Sequence, residues 1–110
     1  MKTKTIDIQA KEWFDKVNGN SYFAGTITIN YGTSKEETFL MPFQYGYGSQ
    51  YEQEAKAILS QYNKIPADYL SLYSICRDNK IQLNKRIETG CLKRELKQIE
   101  NQYNENLKTN

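Results

Sequence analysis

Tyr45, Gly46, Tyr47, Gly48, Ser49 and Tyr51 bring together residue types that could grip a ligand. Two glycines let the backbone come close to a bound group, and Ser49 to Tyr51 open a helix whose first amides attract an anion. Tyr45 and Tyr47 offer ring faces for stacking on a base or another ring. Three of the nine tyrosines fall within the seven residues 45–51. The spacing is neither the GxxxxGK(S/T) loop of nucleotide hydrolases nor a dinucleotide fingerprint. A strand-to-helix connection, with glycines that only permit the turn and tyrosines half-packed on a sheet, accounts for the same residues and is the simpler reading.

Other chemistry is thinner. Trp13, in Glu12-Trp13-Phe14-Asp15-Lys16, is a residue type favoured as an interface anchor; as the only tryptophan of a small domain it is also expected to cap a core. Lys85, Arg86, Lys93, Arg94 and Lys97 form a basic group that could face a phosphate backbone. Glu88, Glu95 and Glu100 interleave with it, which equally describes a solvated helix surface. Histidine is absent, and with it the commonest general base, the usual metal ligand and every Ser-His or Cys-His pairing. The carboxylates are scattered, with no pair set at a catalytic separation. Cys76 and Cys91 belong to no CxxC pair and read as reduced thiols, not a bridge or a zinc site. Lys93 and Arg94 beside Cys91 would lower its thiol pKa near a helix start. No catalytic residue, metal or cofactor is expected.

The elements that must position these residues follow from periodicity. Thr5 to Gln9 alternates as a short strand, and Lys11 to Val17 reads as a turn of helix or a connecting arm. Asn18-Gly19 is a strong hairpin signal. Phe23, Ile27, Ile29 and Tyr31 share one face of the next strand, with Gly25 marking a bulge or a close approach. Phe39, Met41 and Phe43 supply another alternating face, and Pro42, lacking an amide donor, places that strand at an edge. Ser49-Gln50-Tyr51-Glu52 matches a capping box ahead of Ala55, Ile58, Leu59 and Tyr62 at helical spacing. A shorter helix is expected from Ala67 to Arg77, with Tyr69, Leu70, Tyr73 and Cys76 inward. Ile81, Leu83 and Ile87 alternate as a late edge strand. A last helix runs from near Thr89-Gly90 to about Asn106 on a stripe of Leu92, Leu96, Ile99, Tyr103 and Leu107. The sum is one α+β domain over residues 1–110, in the order βββααβα. It has a small antiparallel sheet, three N-terminal strands plus the late edge strand, and two or three helices on one face.

The totals agree with this. The chain has 110 residues, 38% hydrophobic and 25% charged, which suits a single ordered core. No apolar run approaches the roughly 20 residues of a spanning helix, and the first residues lead into an alternating strand, not a signal segment. A cytosolic protein without membrane contact is expected. A net charge of +2 does not by itself argue for nucleic acid.

Several segments resemble small uncharacterised proteins of tailed bacteriophages and prophages. They are Glu12-Trp13-Phe14-Asp15-Lys16-Val17-Asn18-Gly19-Asn20-Ser21-Tyr22-Phe23, Pro42 through Gly48, Cys76-Arg77-Asp78-Asn79 and Cys91 through Arg94. That resemblance implies an accessory protein made inside an infected bacterium and carries no activity with it. The leading expectation is a non-enzymatic binding module for a host or phage protein, in one version an inhibitor of a host defence. Two alternatives stand beside it: nucleic-acid binding in the manner of a double-stranded-RNA-binding domain, and sequestration of a small nucleotide signal at the elbow. An edge strand and exposed rings would also favour a homo-oligomer.

Overall fold

The computed structural model describes residues 3–109. β1 (Thr5–Asp15) and β2 (Asn20–Ile29) form a hairpin around Asn18-Gly19. The Asp15 carboxylate closes the turn, accepting from the Val17 and Asn18 amides and from the Asn18 side chain. The Asn18 side-chain bond in particular holds the Asp15 carboxyl below its ordinary pKa. The expected arm at Lys11 to Val17 is instead mostly strand, since β1 runs on to Asp15 with Trp13 opposite Tyr22. Its apolar side changes partway: Ile6, Ile8 and Ala10 face one way, Trp13 the other. A single-face alternation test therefore stops early.

β3 (Glu37–Tyr45) pairs antiparallel with β2 and forms one edge, as Pro42 requires. Between Phe23 and Gly25 the register slips, so that Pro42 and Phe43 together oppose Ala24. This bulge moves Phe43 off the face shared by Phe39 and Met41. Gly25 is needed for contact: a Cβ there would lie 2.2 Å from the Gln9 carbonyl oxygen of the neighbouring strand.

From β3 the chain crosses one sheet face through α1 (Gln50–Gln61) and α2 (Leu72–Asn79), and returns as β4 (Gln82–Glu88). β4 is the expected edge strand, but it joins β1 in parallel, giving a mixed sheet of order β3-β2-β1-β4 rather than an antiparallel one. A crossover that spans the sheet and re-enters from the starting end leaves no other direction. α1 buries Tyr51, Ala55 and Leu59, and α2 buries Leu72, Ile75 and Cys76. The expected inward Leu70 and Tyr73 point to solvent. Ser71 is the reason: its hydroxyl accepts from the Ser74 amide at 3.1 Å, so the helix starts at Leu72 and its inward stripe is displaced.

α3 (Lys93–Thr109) packs on the opposite face, which corrects the expectation of helices on one side only. Its Leu96 is buried against Ala24 and Cys91, and the Tyr103 hydroxyl donates to the Thr38 carbonyl. Leu92 and Leu107, at the ends of the expected stripe, are exposed. The sheet thus separates two cores. Ile6, Ile8, Ile27, Ile29 and Met41 meet Leu59 and Ile75 in an aliphatic one. Ala24, Leu96 and Ile99 meet Trp13, Tyr22 and Phe43 in an aromatic one. Among the described residues no helix is long and apolar enough to cross a membrane.

Candidate functional site at the aromatic end of the sheet

The turn end of the hairpin sets a row of rings side by side. Trp13 stacks on Tyr22 at 5.4 Å between centroids, and Tyr22 on Phe43 at 5.2 Å, nearly parallel at 9°. Tyr45 meets Tyr22 edge-on at 5.9 Å. Cross-strand pairing places three of these rings: Trp13, Tyr22 and Tyr45 are register partners in turn. The bulge brings the fourth. The first turns of α3 lay cations over the row, with the Lys93 ammonium 5.5 Å from the Trp13 centroid and Lys97 4.4 Å from that of Phe43. Each such contact contributes about 0.5–1 kcal/mol where partly exposed. Trp13, Tyr22 and Phe43 are half-buried; Tyr45 is 59% exposed and Tyr47 64%. Phe14, on the other face of β1 near the same turn, is also exposed.

The elbow after β3 differs from its sequence reading. Ser49 stands at the N-cap of α1, yet its side chain makes no cap hydrogen bond. Glu52, the expected reciprocal partner, instead accepts from the Lys85 ammonium at 2.9 Å. The Tyr47 amide donates to the Gln50 side chain at 3.0 Å, and the Gly48 amide to the Glu12 carboxylate at 3.3 Å. Two donors that could have cradled an anion are therefore occupied from within, one by a carboxylate. Gly46 is buried where a Cβ would lie 2.6 Å from the Phe23 ring, which gives it a packing role. Tyr51 is buried as well, and burial followed by the Glu52 charge raises its phenol pKa. Only Tyr45 and Tyr47 of the elbow present rings outward. A groove of about 300 Å³ beside it is lined by Glu12, Tyr51, Glu52 and Ile87, an acidic border unsuited to phosphate.

The basic group does not form one patch. Strand alternation sends Lys85 toward α1 and Arg86 to the opposite face. The Glu52 bond raises the Lys85 pKa. Lys93 and Lys97 stay together over the rings, and Arg94 is exposed beside them. Cys91 corrects another expectation: its thiol pKa is raised, first by burial and then by Glu88 and Glu95. Both cysteines are free and buried.

The sequence does not by itself mark Tyr22 or Phe43 as site residues. The hairpin signal could have found Tyr22, since pairing outward from Asn18-Gly19 sets it opposite Trp13. Nothing local announces Phe43, which depends on the bulge. A second cavity, about 600 Å³, lies at the other end of the sheet among Asn30, Lys35, Glu37, Tyr62 and Lys64. The Lys64–Glu37 ion pair, 2.6 Å long, stands at its wall.

The chain matches no protein-family model, and comparison with curated proteins and with solved structures gives no significant match.

Proposed function

We propose that this chain is a non-enzymatic binding protein, made by a phage or prophage in the bacterial cytosol, that engages a host protein through the aromatic end of its sheet. Inhibition of a host defence component is the form of this reading that suits its small size. The observation that carries it is the exposure of Tyr45 and Tyr47 beside a row of rings already braced by one another and by Lys93 and Lys97. Rigid aromatic side chains at a surface lose little conformational entropy on binding and are favoured as interface anchors. The lack of histidine in the sequence supports a role without proton-transfer catalysis.

The test is capture from bacterial lysate by the wild-type chain and by a Tyr45→Ala/Tyr47→Ala variant with an unchanged circular dichroism spectrum. A stoichiometric protein held by the first and lost by the second is expected. Equal capture by both, or none by either, overturns the reading.

One observation favours nucleic acid as a second reading. Lys93, Arg94 and Lys97 give the ring row a basic border, the composition of a single-strand platform. Against it, the ammonium groups of Lys93 and Lys97 cover the ring faces of Trp13 and Phe43 that a base would need. A mobility shift that weakens steeply with salt would favour this reading over the first. Sequestration of a small nucleotide at the elbow is the weakest of the three, because Glu12 already takes the Gly48 amide.

A further inference from the structure

The two edges of the sheet are built differently. β3 carries Pro42 and a bulge, both of which spoil pairing with a further strand. β4 has no proline, glycine or register slip, and among the described residues no strand lies beyond it. The Gln82 amide donates inward, to the Lys4 carbonyl at 3.0 Å. Alternation along a parallel ladder then commits Gln82, Asn84, Arg86 and Glu88 to β1. It turns the backbone amides and carbonyls of Leu83, Lys85 and Ile87 outward.

We propose that this edge pairs antiparallel with β4 of a second copy of the chain, about a two-fold axis at Lys85, making one continuous sheet across two protomers. Hydrogen-bond phase selects the register. Outward groups must meet outward groups, so Leu83, Lys85 and Ile87 pair only among themselves, and only the alignment centred on Lys85 uses the whole strand. In that register Leu83 lies opposite Ile87 of the copy, on the face covered by α1 and α2. Both are half-buried in one protomer and would extend the aliphatic core across the seam. On the other face Asn84 meets Arg86 and Gln82 meets Glu88, so each charge faces a neutral amide. The two Lys85 side chains meet at the axis, each already neutralised by Glu52 of its own protomer at 2.9 Å. Moving the axis to Arg86 would set Arg86 against itself, and moving it to Asn84 or Arg86 would pair Lys85 with an apolar residue. Among the strands, the α2 backbone comes close to β4 alone. The axis therefore brings two copies of α2 toward each other, along with the exposed Tyr73 and the exposed Leu70 just before it. Self-complementarity of this kind is what an isologous two-fold contact requires. The edge is separate from the aromatic end, so either proposal can fail without the other.

Light scattering and sedimentation of the whole chain should give a dimer. Lys85→Pro should raise its dissociation constant at least about tenfold, because the lost amide is one that points away from β1. A second variant, Leu83→Lys/Ile87→Lys, sets ammonium groups opposite one another and should be monomeric with an unchanged circular dichroism spectrum. Register is read by oxidation with copper phenanthroline, which takes the two electrons released when two thiols join. Asn84→Cys/Arg86→Cys should cross-link to a covalent dimer, whereas Gln82→Cys/Arg86→Cys should not. A monomeric wild type, a dimer indifferent to both edge variants, or equal cross-linking of the two cysteine pairs overturns the proposal.

Discussion

The two faces of one sheet carry opposite kinds of packing. Under α1 and α2 the layer is mainly aliphatic and sealed, with Ile6, Ile27, Leu59 and Ile75 all fully buried. Under α3 a single helix covers the other face, and its layer grades outward from buried Leu96 through the half-buried rings of Trp13, Tyr22 and Phe43 to exposed Tyr45. The first arrangement suits stability, because mostly branched side chains, joined by Phe23 and Tyr51, fill a closed space that holds few polar atoms. The second suits contact, because aromatic rings hold their shape at a half-open surface. On the proposed reading stability and recognition fall to different sides, and substitutions should sort accordingly.

The largest loss should come from the sealed side. Ile27→Ala is expected to cost about 3–5 kcal/mol in urea unfolding, since no surface can collapse into the space left. Leu96→Ala, also fully buried but beneath one helix, should cost less, about 2–3 kcal/mol, because α3 can settle toward the sheet. A Leu96 loss equal to or above that of Ile27 would erase the distinction. Alkali should affect both sides. The thiols of Cys76 and Cys91 and the phenol of Tyr51 are raised above ordinary values of 9.0 and 10.0, so each resists ionisation in the fold. A raised acid stabilises fully below its unfolded pKa and loses that contribution as pH climbs through the folded one. The urea midpoint should therefore fall as pH climbs above roughly 9. Lys97→Met removes the cation over Phe43 and should cost about 0.5–1 kcal/mol, measured the same way. Tyr45→Ala should change stability least, by about 0.5 kcal/mol or less, while removing partner capture; a larger effect would return Tyr45 to the core.

Element order was legible in the sequence because each helix and strand has its own period, and Pro42 marked an edge. The length of β1 was hidden by the change of apolar side after Ala10. The direction of β4 was hidden because alternation along Ile81, Leu83 and Ile87 is the same in parallel and antiparallel pairing. Leu70 and Tyr73 misled because Ser71 sets the phase of α2 through a hydrogen bond, which hydropathy does not register. At the candidate site Trp13, Tyr45 and Tyr47 were visible as residue types. Their neighbours were not, since the Glu12–Gly48 contact joins residues far apart in the chain. Lys85 and Arg86, adjacent in sequence and opposite in space, show the converse error: closeness along a strand is separation across it.

The slip at Pro42 and Phe43 behaves like a change of reading frame. Upstream of it, odd positions of β3 such as Phe39 and Met41 belong with α1; downstream, Phe43 and Tyr45 belong with α3. One surplus residue lets a single short segment spell out two interiors. Even alternation through all nine residues, without the slip, would turn both downstream rings toward the wrong helix, whereas loss of the surplus residue would leave Phe43 opposite Ala24 and Tyr45 opposite Tyr22 on the side of α3.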